Sequence, residues 1–268
     1  MKCCILCAAH CDPKVLKTTI GTWLDTYDQS YEAELYVGLH SNYSDYHPGL
    51  GELLGMIPYV KFVRVKEIDW NAPRTPLETT YRYSEMHARS LLTIMTAMRK
   101  DCKNFTHVAI LDHDLIFYKD FIGWAMRTKA DLVGSLFEDR SIDRELETEI
   151  AGSIVSAPRV SVWHMVLSKK LFDAIKDIST MVKNHLYKGR VFDVMAMTYE
   201  IAKMVGMNVR IEPEETIARL VRHLGSMSFN FSKIVHSLDS YNANMRVCES
   251  EYARRFPNGI DRLLRKLV

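Results

Sequence analysis

Apolar residues fill positions 3–9 almost without a break, then recur at Leu16, Ile20, Trp23, Leu24 and Tyr27, a change from a continuous run to a helical period. The run predicts a buried strand over Lys2–Ala9. The spaced set predicts a helix opening at Pro13, because Asp12 is a good N-cap and proline suits the first helical position. Further apolar runs at 34–39 and Val60–Val65 predict a second and third strand. Strand, helix, strand in this order opens a parallel sheet with right-handed crossovers.

Residues 69–83 contain two prolines and little periodicity, so they read as a long loop of the kind that often carries function. A helix over 85–99 follows, with Leu91, Leu92, Met95 and Met98 on one side. Beyond the strand at 107–111 the pattern predicts a short helix near 122–126, strands at 131–136 and 160–167, and a polar stretch at 138–151 between them. Helices at 171–181 and 194–205 come next, the second closed by Gly206 at the place a C-terminal glycine belongs. A strand at 207–211 follows. At the end, Ile260, Leu263, Leu264 and Leu267 have helical spacing, with Arg262, Arg265 and Lys266 on the other side. Such a tail packs on its own domain or makes peripheral contact with an anionic membrane surface through 260–268.

With 268 residues the chain can bury a full core as one large α/β domain or two small ones. Apolar residues make up 47% and charged residues 25%, the composition of a soluble globular protein. A formal charge of +2 gives no argument for nucleic acid. No apolar run approaches the ~20 residues of a membrane span, and the N-terminal one is too short for a signal peptide. The expected location is the cytoplasm or another reducing space. Cys3, Cys4, Cys7 and Cys11 crowd the N-terminus, but strand alternation puts Cys4 opposite Cys3 and Cys7. They cannot all converge on one tetrahedral ion, and they read as buried thiols acting as small apolar residues.

The candidate chemistry lies where His107-Val108-Ala109-Ile110-Leu111 runs into Asp112-His113-Asp114. In an extended segment Asp112 and Asp114 point the same way and His113 points away. Two carboxylates on one side repel each other unless a cation sits between them, and their hard oxygens suit Mg²⁺ or Mn²⁺. An Asp-x-Asp alone is a low-specificity match. The apolar strand before it and the Leu115-Ile116-Phe117 run after it raise the metal reading above that of a solvated turn.

From about Cys3 to Ser228 the order of parts resembles the nucleotide-diphospho-sugar glycosyltransferases of the GT-A fold. Ile110-Leu111-Asp112-His113-Asp114 looks like their Asp-x-Asp motif, and Ala88-Arg89-Ser90 looks like their Ala-Arg-Asn segment. The resemblance implies a Rossmann-like α/β fold, with a mixed, mostly parallel central sheet flanked by helices. It implies one catalytic domain over 1–268: a nucleotide-sugar half over 1–114, an acceptor half over 115–230, and a helical tail. Asp114 would be the direct metal ligand, with Asp112 near the ribose or the metal and His223 completing the shell. Against His223, the spacing of Ile217, Leu220, Val221 and Leu224 places it on an ordinary helix face. Arg89 would approach the diphosphate, a role suited to its fixed charge and forked donors. Its alternative is a surface or capping arginine.

Asp193 resembles the residue that takes the acceptor proton in inverting members, although an N-cap role explains it equally; Glu138 and Asp139 compete for the same role. Ala8, His10 and Ser41, with His113, stand at the remaining donor-contact positions. Ala8-Ala9-His10 replaces the family's frequent Pro-Thr turn, and His40-Ser41-Asn42 stands where an Asp often pairs with uracil. The implied partners are a nucleotide-diphosphate sugar, Mn²⁺ or Mg²⁺, and a glycan, lipid-linked, protein or modified-nucleobase acceptor. Trp163 and His164 fall where an acceptor pocket would be lined, or serve as core residues. A nucleotidyltransferase is the alternative enzyme, but 7–13 lacks the Gly-rich basic loop that grips a triphosphate. A non-catalytic binding module on the same fold is the third reading.

Overall fold

The computed structural model describes residues 1–9, 11–40, 60–66, 82–137, 159–160, 163–175, 185–187, 190–192, 195, 197–225, 229–230, 233–234 and 238–259. The N-terminal elements form where the pattern places them: β1 (Lys2–Ala9), α1 (Pro13–Thr26), β2 (Glu32–His40) and β3 (Val60–Val65). Asp12 caps α1 by accepting from the Lys14 amide at 2.8 Å. Then come α2 (Arg82–Asp101), β4 (His107–Asp112), β5 (Leu115–Phe117), α3 (Phe121–Arg127) and β6 (Leu132–Phe137). The second half adds β7 (Arg159–Val160), β8 (His164–Ser168), α4 (Lys169–Ala174) and the β9–β10 hairpin (His185–Tyr187 and Arg190–Phe192). It continues with α5 (Met197–Met204), β11 (Val209–Glu212), α6 (Glu214–Ala218), β12 (Val221–His223) and, near the end, α7 (Leu238–Arg255).

Among the described residues the main sheet has strand order β11-β6-β8-β4-β1-β2-β3, with β7 beside β6. Pairing is parallel except where β8 runs against β4 and β6 and where β7 runs against β6. This is the mixed, mostly parallel, Rossmann-like sheet that the resemblance implies. Alternation along β1 splits the core in two: Cys3, Ile5 and Cys7 pack under α1, while Cys4, Leu6 and Ala8 pack under α2. All six cysteines are buried and free, as expected of small apolar residues. Among the described residues no helix is long and apolar enough to cross a membrane.

Three predicted elements are redrawn. The strand expected at 160–167 is interrupted at Trp163: β8 pairs Val166 with Val133 and β7 pairs Val160 with Leu136, so the register against β6 shifts between them and β7 and β8 are separate strands. The helix expected at 171–181 begins earlier, because Ser168 Oγ accepts from the Leu171 amide, and it stops at Ala174. There Arg99 Nη2 takes the carbonyls of Phe172 and Ile175 at 3.1 Å each, supplying the partners that a further helical turn would have supplied. The strand expected at 207–211 sits slightly later, at Val209–Glu212, after Gly206 closes α5 with φ +68°. Of the loop expected at 69–83, residues 69–81 lie outside the described residues and Arg82 already opens α2, while the polar stretch at 138–151 and the tail at 260–268 lie outside the described residues.

Gly134 in β6 marks the tightest approach in the sheet. A Cβ there would stand 2.4 Å from Val160 Cγ1, a stiff branched side chain that is itself buried. Gly134→Ala is expected to cost about 1–3 kcal/mol, the range for overpacking a core. A lowered urea midpoint at unchanged m-value would register it.

Candidate metal centre

The centre is assembled at the C-terminal edge of β4. Asp112 ends that strand opposite Ala8 of β1, the chain bends through His113 and Asp114, and β5 begins at Leu115. The bend is held from α1. Thr19 Oγ1 donates to the His113 carbonyl at 2.6 Å and accepts from the Leu115 amide at 3.0 Å, while Thr22 Oγ1 accepts from the Phe117 amide at 3.2 Å. Thr19 and Thr22 are both buried, so three backbone groups of the bend and of β5 are satisfied from α1.

His223 arrives by a route that the apolar spacing misreads. Residues 217–224 form the end of a short helix and then β12, which pairs antiparallel with β5 so that His223 lies across from Leu115. The helix-face reading of His223 is therefore incorrect. Strand pairing outweighs the helical spacing because β5 presents an apolar edge to Val221, and the Leu224 amide closes the register on the Asp114 carbonyl at 3.0 Å. From α7, Asn244 Nδ2 donates to the carbonyls of Leu224 and Gly225 at 3.0 and 2.9 Å, where Gly225 adopts a left-handed φ of +69°. Trp163 stacks on the His223 ring, with centroids 4.2 Å apart and planes 17° from parallel.

His223 Nε2 lies 3.0 Å from Asp114 Oδ1 and 3.6 Å from Asp112 Oδ2, and the donor atoms of all three residues fall within 4.8 Å of one another. Burial opposes a charged imidazole at this position, yet the Asp114 charge and the hydrogen bonds to both carboxylates raise the His223 pKa to about 10. Burial likewise opposes the Asp112 carboxylate, but the charge and hydrogen bond of His113, with contributions from His223 and His87, hold it well below the usual range. Asp114 Oδ1 is buried, with His223 Nε2 as its ion-pair partner. Two buried carboxylates beside an imidazole nitrogen are a donor set that fits a divalent cation such as Mn²⁺.

His113 lies in the bend after β4, where alternation no longer applies, and is not among the three grouped donors. Its Nδ1 lies 3.1 Å from the Ala8 carbonyl and 2.9 Å from Asp112 Oδ1. The ring and Ala8 are both fully buried. Arg89 is half-buried on α2. His10, Ser41, Glu138, Asp139 and Asp193 lie outside the described residues. The sequence reading passed over Thr19, His87 and Asn244. A polar residue at an otherwise apolar helix position, as Thr19 is between Leu16 and Ile20, was the available signal for the first.

Beneath the centre, on β8, His164 Nε2 is 2.9 Å from Ser135 Oγ, and the ring meets Phe121 edge to face. Burial, with a smaller contribution from the charge of His223, lowers the His164 pKa to about 3. It folds as a neutral ring whose unfolded value is near 6.5. Its contribution to stability is therefore complete above pH 6.5 and is lost as pH falls toward 3, at up to about 1.4 kcal/mol per unit. Equilibrium unfolding between pH 7 and 4 is expected to show that slope, and His164→Gln to flatten it.

No family model matches the chain, and no curated protein sequence matches it. Among solved structures it is similar to a mannosyltransferase from Pyrobaculum calidifontis in complex with GDP-Man and Mn²⁺, at 12% identity and a TM-score of 0.45, over 98% of this chain and 68% of that one. It is also similar to a nucleoside-diphosphate-sugar pyrophosphorylase from Vibrio cholerae RC9, at 9% identity and a TM-score of 0.47, over 91% of this chain and 99% of that one. At these distances it is the chain's own sheet order and its Asp112–Asp114–His223 cluster that carry the structural conclusion: a Rossmann-like α/β protein with a buried site able to coordinate a divalent metal.

Proposed function

We propose that the chain is a metal-dependent glycosyltransferase that moves a sugar from a nucleoside-diphosphate sugar to a hydroxyl acceptor. The observation that carries this reading is the position of the Asp112–Asp114–His223 cluster at the C-terminal edge of a mostly parallel sheet. Ligands of open α/β sheets bind outside that edge. Asp114, Asp112 and His223 would hold Mn²⁺ or Mg²⁺. The bound cation supplies Lewis acidity that offsets charge on the departing diphosphate.

The remaining work falls to side chains. Asp112 and Asp114 are fixed as acceptors by the Thr19 bridge behind them and by the His113 ring. His223 is held flat by Trp163, which keeps Nε2 on the carboxylates. Arg89 binds the diphosphate through its forked donors. Asp193 removes the acceptor proton as the acceptor attacks from the opposite face of the sugar, giving inversion, with Glu138 and Asp139 as the competing bases. In this reading 1–114 is the donor half and 115–230 the acceptor half of one domain.

The test is turnover of a panel of nucleoside-diphosphate sugars. One donor is expected to release its nucleoside diphosphate with Mn²⁺, and EDTA to stop the release. Pyrophosphate release from a nucleoside triphosphate would replace this reading with a nucleotidyltransferase. Saturable donor binding without turnover, across acceptors of every class, would replace it with a binding module.

A further inference from the structure

A second group of metal-ligating side chains lies toward the other end of β1. Cys4 and Glu34 stand opposite one another on the parallel strands β1 and β2, so their side chains share a face. It is the face beneath α2, where Cys4 belongs to the same buried cluster as Met98 and Cys102. Cys102 follows directly on α2, held there by its amide, which donates to the Met98 carbonyl at 2.8 Å. The two thiol sulfurs and a Glu34 carboxylate oxygen all lie within 4.8 Å of one another. Four residues of β1, about 13 Å at the rise of a strand, separate Cys4 from Ala8, the residue opposite Asp112. The group is therefore distinct from the Asp112–Asp114–His223 cluster.

Glu34 is fixed in its ionised form. Lys2 pairs with Oε1, while Lys61 Nζ and Tyr36 Oη donate to Oε2 at 3.0 Å each. Burial opposes the charge, but these three hydrogen bonds hold the Glu34 carboxyl down at about 2. A carboxylate has about four acceptor positions, of which three are used among the described residues, so Oε1 keeps one. Carboxylates that ligate metals are oriented by outer hydrogen bonds of this kind. The lysines also balance the charge of a loaded site. A divalent cation takes the place of two thiol protons, so its binding adds no net charge. Two thiolates and a carboxylate around it leave one negative charge, which Lys2 and Lys61 face directly.

We infer that Cys4, Cys102 and Glu34 bind a thiophilic divalent cation, Zn²⁺ by the chemistry of the donor set, with water in the fourth position on the part-exposed side of Glu34. Ligands on a tetrahedral Zn²⁺ stand about 3.5–3.8 Å apart, so side-chain movements of about 1 Å close the site. The bound ion ties the end of α2 to β1 and β2. The site is independent of the glycosyltransferase reading.

Co²⁺ is the probe, because thiolate ligation gives it a charge-transfer absorption in the near ultraviolet that a site of aspartates and histidine lacks. The metal-free, reduced full chain is titrated with Co²⁺ and then with Zn²⁺. The absorption is expected to saturate at one thiolate-bound Co²⁺ per chain, and Zn²⁺ to displace it with a Kd of about 1 µM or below. Cys102→Ser should lose the absorption, Glu34→Gln should weaken Zn²⁺ binding at this site at least about tenfold, and Asp114→Asn should change neither. The inference is overturned if no absorption develops at saturating Co²⁺, if it survives in Cys102→Ser, or if Asp114→Asn abolishes it. It is also overturned if Zn²⁺ displaces Co²⁺ from Glu34→Gln as readily as from wild type. Glu34 is part-exposed, so that variant decides the matter should Cys102→Ser fail to fold.

Discussion

Asp114→Asn is expected to weaken Mn²⁺ binding by about a hundredfold or more and to take donor turnover with it. Loss of an outer-shell partner already costs metal sites about 10–100-fold, and in the proposed function Asp114 would be a direct donor. Its Oδ1 is buried 3.0 Å from His223 Nε2, within the donor cluster that a divalent cation would occupy. Asparagine keeps the shape and one acceptor but removes the charge, leaving Asp112 as the single anion of the cluster. Electron paramagnetic resonance of free Mn²⁺ reads the affinity, and melting in EDTA confirms that the variant is folded. Equal Mn²⁺ affinity in the two proteins would move the site elsewhere.

The second large effect lies one layer behind the metal centre. Thr19→Val is expected to cost about 2–4 kcal/mol, because it strands a buried carbonyl at His113 and a buried amide at Leu115, each carrying a penalty of about 1–3 kcal/mol when left unmatched. Valine is nearly isosteric, so packing against α1's neighbours is retained and the loss is that of the hydroxyl. The bend carrying Asp112 and Asp114 is anchored at that point, and Mn²⁺ affinity should fall about tenfold as well. Thr19→Ser restores the hydroxyl and should recover most of both. Chemical denaturation with a parallel Mn²⁺ titration separates the stability loss from the affinity loss. Wild-type behaviour of the valine variant in both would show that α1 does not position the motif.

The parts of this fold that could be read from sequence are those in which local pattern and tertiary demand agree. β1, α1 and β3 are bounded as their apolar patterns predict, because continuous runs in a parallel sheet and an N-capped amphipathic helix leave few alternatives. Asp112 and Asp114 converge as expected, but through the bend at His113 and Asp114 that Thr19 holds rather than by alternation along a continuing strand. The misreadings lie where a distant partner decides the backbone. Residues 220–224 have helical spacing, but β5 offers a strand edge and Asn244 fixes the following turn from α7, two contacts that no local window contains. The strand expected through Trp163 is divided where its register against β6 shifts, and α4 is cut short by Arg99 from α2. Thr19 reads as one polar residue in an amphipathic helix, and its role as a bridge exists only once β4 and β5 lie against α1.

The central claim, that Asp112, Asp114 and His223 hold a divalent cation through which a nucleotide-sugar donor is bound, is tested most directly by calorimetry. A panel of nucleoside-diphosphate sugars would be titrated into wild type and His223→Gln, each with Mn²⁺ and with EDTA. The account predicts that one donor binds to wild type with Mn²⁺, and that its affinity falls at least about tenfold in EDTA and in His223→Gln with Mn²⁺. Donor binding that is equally tight with and without metal, or indifferent to His223, would contradict it.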